Sequence, residues 1–427
     1  MQEVAVIKYL MDFVIGAIRI FEFCKANCIF LLGWFLPKKV ESLPESVAAY
    51  NQKNVMFNTN IDRILENIVC IVSPELYKKL ICVQIGNNSY KIPAILLANF
   101  ETKDLDNIVD NNLSKKLDAN IVDNELIKFM TTELKRRVYD KPTYRLIDSS
   151  GKLKIGISSY FQTLSTSDIH YINFIRKLPL HNDTIDWNEY LNKDFLQNWK
   201  TRINEILNND FDHYSASMGC AVLTMIKRKD GEYCFYAKQN SEEKNGGLDG
   251  HVAPSFMYQP SNNDYKNQIA EMDLTAQVIR EFGEELLNMK KLQAPYLGEL
   301  ENILNGHIQE KKDRKLKQLS ELLHNKNSKA QLVITGFVLD IFRLRPEITF
   351  LLLIEDDEFL SDLKIKGNWE AKGKRIGLYK LDSYEKFLNR EDSVPDLCAP
   401  GMAALINGME YVKKHIFTTD KKIMETI

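Results

Sequence analysis

The sequence predicts an α+β protein in two parts, a separate mixed α+β N-terminal region and a more strongly sheet-forming second half. Three observations lead there. The chain changes character near Asp210, where helical, acidic and aromatic patterning gives way to β-rich runs. Two such runs, 216–225 and 233–237, flank Lys229-Asp230-Gly231, and Asp-Gly between apolar runs is a strong hairpin signal. Two long apolar strands, 331–342 and 348–354, then follow a helical stretch, and a helix at 400–414 closes the chain.

The elements are expected in this order. Residues 13–36 are apolar and long enough to span a bilayer, but Arg19, Glu22 and Lys25 interrupt them. Each charge would cost about 2.5–3.5 kcal/mol at the centre of a span. A helix docked on the protein is therefore the first reading, membrane contact through 13–36 the second, and a spanning helix the third. No small-residue cleavage site follows, so a secretory signal fits poorly. A polar link is expected over 41–60. Helical spacing returns at 61–72, and strands at 80–83 and 90–97 flank Gly86-Asn87-Asn88. An amphipathic helix is predicted at 124–139, a hairpin over 144–159 turning at Ser149-Ser150-Gly151, and mostly helix over 174–207. The division that results is an apolar leading segment at 1–40, an α+β domain at 41–205, and a second domain at 206–427 with a helical insertion at about 300–328.

Composition narrows the function. Of 427 residues, 56 are Lys or Arg and 58 are Asp or Glu, a formal net charge of −2. That balance argues against a protein whose main task is coating nucleic acid. The densest basic run, Lys311 to Lys317, has no aromatic residue interleaved to stack bases, so a nucleic-acid partner is not expected. Seven scattered cysteines read as reduced thiols and point to a cytoplasmic setting. Cys24 and Cys28 stand at i, i+4 with no histidine near them, which does not make a zinc site. Neither a Walker phosphate loop nor a Gly-any-Ser-any-Gly turn is present.

The segment that carries chemistry runs from Asp273 to Leu286. At 100° per residue, Val278, Ile279, Phe282 and Leu286 share one face suited to packing on a sheet. Glu281, Glu284 and Glu285 stand at i, i+3 and i+4, so their carboxylates gather on an adjacent face. Such clusters repel by a few tenths of a kcal/mol per pair in a bare helix. They suit a hard divalent cation, which takes several oxygen ligands and keeps waters. A solvated acidic face is the other reading.

Arg280-Glu281-Phe282-Gly283-Glu284-Glu285 resembles the helical half of the Nudix box, and Gly250-His251-Val252 resembles the opening of its loop. The order hairpin, glycine loop, helix, two strands and closing helix is also similar to that family, over about residues 206–417. The resemblance implies a Nudix-like α/β/α sandwich and binding of Mg²⁺ (or Mn²⁺) by Glu281, Glu284 and Glu285. It also implies proton abstraction from water by Glu281, oriented by Arg280, with Gly250 and His251 at the phosphates. The family pattern places a glycine and a glutamate where this chain has Lys266 and Met272, so Glu271 or Asp273 would stand in for the acid. Leu287 occupies the position of the following glycine, with Asn288 available for a left-handed helix end. A late carboxylate is sought among Glu347, Glu355, Asp356 and Asp357, while Phe256 and Tyr258 would either stack on a base or fill space. The function implied is a Mg²⁺-dependent hydrolase of a nucleoside-diphosphate-linked compound. The alternative is a ligand-sensing protein that binds a nucleotide or nucleotide-sugar and does little chemistry. A dimer is compatible with either.

Overall fold

The computed structural model describes residues 45–98, 101–110, 112–113, 117, 121–134, 136, 138–240, 250–261, 263–289, 311–325, 329–361, 363–368, 371 and 376–416. Residues 13–36 and the glycine loop ahead of Gly250 lie outside them. Among the described residues, no helix is long and apolar enough to cross a membrane.

The protein is mixed α and β around one curled, mixed sheet. Its strands are β1 (Leu80–Ile85), β2 (Asn88–Ala98), β7 (Gly219–Lys227), β8 (Tyr233–Gln239), β9 (Gly250–Val252), β10 (Ser255–Met257), β11 (Ala330–Asp340), β12 (Arg345–Ile354) and β13 (Gly377–Lys380). Two separate hairpins supply β3 (Pro142–Asp148) with β4 (Lys154–Ser159), and β5 (Leu180–His181) with β6 (Thr184–Ile185). The main order is β1-β2-β11-β12-β7-β8-β13, with β10 on β7 and β9 on β8. Among the strand pairs of the described residues, β12 and β7 alone are parallel, with Glu347 opposite Gly219 and Ile354 opposite Ile226. A parallel pair needs a crossover and both faces covered. Both conditions are met, because β12 and β7 lie at the centre and are buried along almost their whole length.

Alternation divides their side chains between two cores. Cys220, Val222, Ile348, Phe350 and Leu352 enter one, and Ala221, Leu223, Met225, Leu351 and Leu353 enter the other. The second core is closed by α6 (Ala399–His415), through Met402, Leu405, Ile406 and Met409. The first is closed by α4 (Leu274–Glu281) and the π turn that extends it, Phe282–Leu286, through Val278, Ile279, Phe282 and Leu286. These are the residues whose helical spacing predicts a shared apolar face.

The sheet crosses the division expected at residue 205. Residues 49–427 form one compact unit, and β2 pairs antiparallel with β11, placing Ile95 opposite Leu339. Aromatic packing reinforces the join. Phe174, on α2 (Ile169–Arg176), lies 4.8 Å from Phe342 and 5.4 Å from Trp199, on α3 (Phe195–Leu207). Trp199 Nε1 donates to the Ile341 carbonyl at 2.7 Å. The β3 hairpin is tied in the same way, with Met218 N donating to Tyr144 O at 2.8 Å.

Three local expectations change. Most of the link at 41–60 is helix α1 (Glu45–Thr59), because Tyr50, Asn54 and Phe57 form a buried stripe. Asn54 hides that stripe from a hydropathy reading, yet it is satisfied by the Tyr171 hydroxyl at 3.1 Å. The 174–207 stretch is broken by the β5–β6 hairpin, where Asn182 and Asp183 take φ of 49° and 60°, the conformation a two-residue turn demands. The helix at 124–139 is shorter, Asn124–Lys128 followed by a π turn, Phe129–Glu133.

Trp199→Phe should cost about 1–3 kcal/mol, because the buried Ile341 carbonyl loses its donor. Urea unfolding followed by far-UV circular dichroism and by intrinsic fluorescence should give one coincident transition across residues 49–427. Two separated transitions would contradict a shared sheet.

Candidate functional site

The box helix is specified locally. Asp273 is its N-cap, accepting from Ala276 N at 3.0 Å. Glu271 is an acid beside Arg280. It is 1 % exposed and lies 3.8 Å from Arg280 Nη1, while Ser261 donates to it from both N and Oγ at 2.6 Å. Arg280 also donates to Gln277 Oε1 and stands 3.5 Å from Glu281. The guanidinium thus joins two turns of one helix to the carboxylate that fixes the preceding loop. Beyond the helix, Asn288 takes φ of 51°, the left-handed end expected of it.

The three box glutamates have different surroundings. Glu285 is buried, and its Oε2 accepts from Lys238 Nζ at 2.6 Å and from Ser255 N at 3.1 Å. Lys238, on β8, is itself only 1 % exposed. Glu281 and Glu284 are half-buried. A Mg²⁺-type site needs oxygens that converge. Among the described residues, the one set of three such groups with ligand atoms within 4.8 Å of one another is His181, Asp186 and Glu189, which are exposed. The box carboxylates do not make a converged donor set in this conformation, and Glu285 already has a cationic partner.

Other predicted residues separate by environment. Gly250 sits in β9 under chain 395–396; a Cβ there would lie 2.7 Å from Pro395 Cβ and 2.9 Å from Asp396 O. Tyr258 fills space, its ring 4.5 Å from that of Tyr144 and its hydroxyl donating to Met272 O. Glu355 accepts from the Tyr233 hydroxyl, and Asp356 accepts from Phe359 N at the start of the short helix Asp357–Ser361. In the basic run, carried by α5 (Lys311–His324), Lys315 donates to the Phe359 carbonyl at 2.6 Å and Lys312 to Asn288 O at 3.1 Å.

Glu347 is the late carboxylate in a chemically useful place. It shares with His251 and Phe256 the lining of a cavity of about 270 Å³. Gly219, opposite it in the parallel pair, leaves the room it occupies, since a Cβ there would come within 2.4 Å of its carboxyl atoms. Burial pushes the Glu347 pKa up to about 7; Arg345 and Arg343 oppose that rise, while Asp340 and Asp168 add to it. The neighbouring Cys220 thiol is also held well above its ordinary value, first by burial and then by the carboxylates of Glu347 and Glu281. The box helix and the cavity therefore meet near Cys220.

Sequence reasoning did not single out Arg136, Asn240, Arg343 and Arg345, which line the same cavity from distant segments. The one local signal was the Arg343-Leu344-Arg345 doublet between two apolar strands.

No family model matches the sequence, and no curated protein does. Among solved structures, the chain is similar to a NUDIX hydrolase from Alicyclobacillus acidocaldarius, at 9% identity and a TM-score of 0.23. The similarity covers 46% of this chain and 95% of that one, and at such values it decides neither fold nor function here.

Lys238→Met should destabilise by about 3–5 kcal/mol, since it removes the buried cation that faces the Glu285 carboxylate, and adding Glu285→Leu should recover most of the loss. Chemical denaturation of the two variants checks this. Glu347 gives a second prediction. A carboxyl raised from 4.5 to about 7 favours the folded state below pH 4.5, and that contribution is lost as pH rises towards 7. Glu347→Gln should therefore gain on wild type by a few kcal/mol between pH 5 and 8. His170, whose pKa burial lowers to about 4, acts in the opposite direction but cancels from the difference. A pH-independent difference in melting temperature would contradict the assignment.

Proposed function

We propose that the box-bearing half of this chain binds a nucleotide-type small molecule and does little chemistry on it, its box helix serving mainly the fold. The observation behind this reading is the Lys238–Glu285 pair at 2.6 Å. It commits one of three supposed metal ligands to a buried internal cation. An external ion at Glu285 would have to compete with the Lys238 ammonium for the same buried carboxylate, a costly exchange. Arg280 meanwhile draws Glu281 and Glu271 together, which holds the loop at Ser261 to the helix. The arrangement favours a stiff frame over an open cation site.

The second reading is a Mg²⁺- or Mn²⁺-dependent hydrolase of a nucleoside-diphosphate-linked compound. One observation favours it: Glu281 is half-buried, beside Arg280, and acts with the raised carboxyl of Glu347 on the same thiol. A carboxylate oriented by a guanidinium and a second, proton-holding acid near the same thiol are ingredients of acid–base chemistry.

A panel of nucleoside-diphosphate compounds with Mg²⁺ or Mn²⁺ separates the two readings. The binding reading expects no phosphate or nucleotide release above background. It also expects a panel member to raise the melting temperature by a few degrees when present well above its Kd. Metal-dependent turnover abolished by Glu281→Gln and by Glu284→Gln would overturn it in favour of the hydrolase.

A further inference from the structure

We propose that the cavity lined by Arg136, Arg343, Arg345 and Asn240 is the binding site for a compact phosphate ester of a hydroxylated compound, such as a sugar phosphate or a small nucleotide. This gives the binding reading a place and a ligand chemistry, and it rests on that reading.

Three features of the lining carry it. The first is charge. Arg136, Arg343 and Arg345 face the cavity together with the carboxyls of Asp168 and Glu347. Three guanidiniums outnumber the two carboxyls, so the balance is positive whether or not Glu347 holds its proton. The arginines come from two parts of the chain: Arg136 follows the Phe129–Glu133 turn, and Arg343 and Arg345 stand two residues apart where the β11–β12 turn enters β12. Planar guanidiniums match the oxygens of a phosphate, which a flat hydrophobe does not offer.

The second feature is a set of unmet polar atoms of opposite kinds. Among the described residues, the buried Arg345 Nε has no hydrogen-bond acceptor, and the buried Asn240 Oδ1 and Asp168 Oδ1 have no donor. Asn240 is 3 % exposed. Buried polar atoms are normally satisfied, so such atoms in one cavity point to a missing partner that offers both an acceptor and donors. A phosphate oxygen meets the first requirement and sugar hydroxyls the second. An aliphatic ligand meets neither.

The third is size and rigidity. At about 270 Å³ the cavity lies just under the ~300–1,000 Å³ of typical small-molecule pockets, so its occupant is compact. The walls are already braced. Arg343 packs over the Tyr171 ring at 4.6 Å, and Arg345 Nη1 stands 3.9 Å from Asp168 Oδ1. Neither guanidinium has to be ordered from solvent when a ligand enters.

Isothermal titration of the full-length chain with inorganic pyrophosphate, ribose 5-phosphate, ADP and unphosphorylated ribose tests this. The phosphorylated probes should bind and unphosphorylated ribose should not. Arg345→Gln and, separately, Arg136→Gln should weaken binding by about tenfold or more, the loss of one charge-assisted contact. Asn240→Leu should weaken ribose 5-phosphate but not pyrophosphate. Arg136 makes no ion pair with another described residue, so its variant stays informative if Arg345→Gln does not fold. Affinities unchanged in both arginine variants would overturn the site. Binding lost in Glu284→Gln but kept in both arginine variants would move the ligand to the box and leave the binding reading standing. No binding of any phosphorylated compound, with the panel above equally silent, would overturn both.

Discussion

Two adjacent strands that are apolar along nearly their whole length set the terms for the rest of this molecule. β7 and β12 run parallel at the middle of the sheet, and their side chains point into cores on both faces. Each face must be covered, and the closing helix α6 covers only one. The other is closed partly by the box helix and partly by aromatic residues from before residue 205, with Phe57, Phe174 and Trp199 in the same core as Phe350. At about 25 cal/mol per Å² of apolar area, leaving that face in water would forfeit a large share of the stabilising energy. The N-terminal half is thus held by the sheet, and β2 extends it by direct pairing with β11.

Much of this framework was legible from residues alone. Asp230-Gly231 marks the β7–β8 hairpin, and the spacing of Val278, Ile279, Phe282 and Leu286 marks the buried face of the box helix. What escaped did so for identifiable reasons. Helix α1 was hidden because one of its inward positions is an asparagine, whose burial depends on a hydroxyl more than a hundred residues away. The relation of the two halves was hidden because strand pairing over such separations leaves no local pattern. The cavity was hidden for the same reason, since Arg136, Asn240 and Arg345 meet only after the sheet has formed.

The box illustrates how far a motif reaches. Its spacing predicts that three carboxylates gather on one face; Glu281 ends the α-helix, and Glu284 and Glu285 stand on the π turn that extends it. It does not say what each one meets. Glu285 meets Lys238 from a strand nearly fifty residues earlier, and no reading of the helix alone could have found that pairing. Arg280 and its acid are the converse case. Glu271 reaches the guanidinium from outside the helix because a short helix, Tyr265–Ala270, ends just before it. A search by spacing alone misses a partner that the fold supplies.

The contact between Gly219 and Glu347 has a consequence for how this sequence can vary. The space over Gly219 is filled by the carboxyl group opposite, so a methyl group at 219 would push that carboxyl aside. Position 347 can change alone, whereas any larger residue at 219 displaces the acid from its place by the cavity. The dependence therefore runs one way, across the central parallel pair of the main sheet's strand order. The glycine keeps the proton-holding group where it stands, and the acid does nothing in return to keep the glycine.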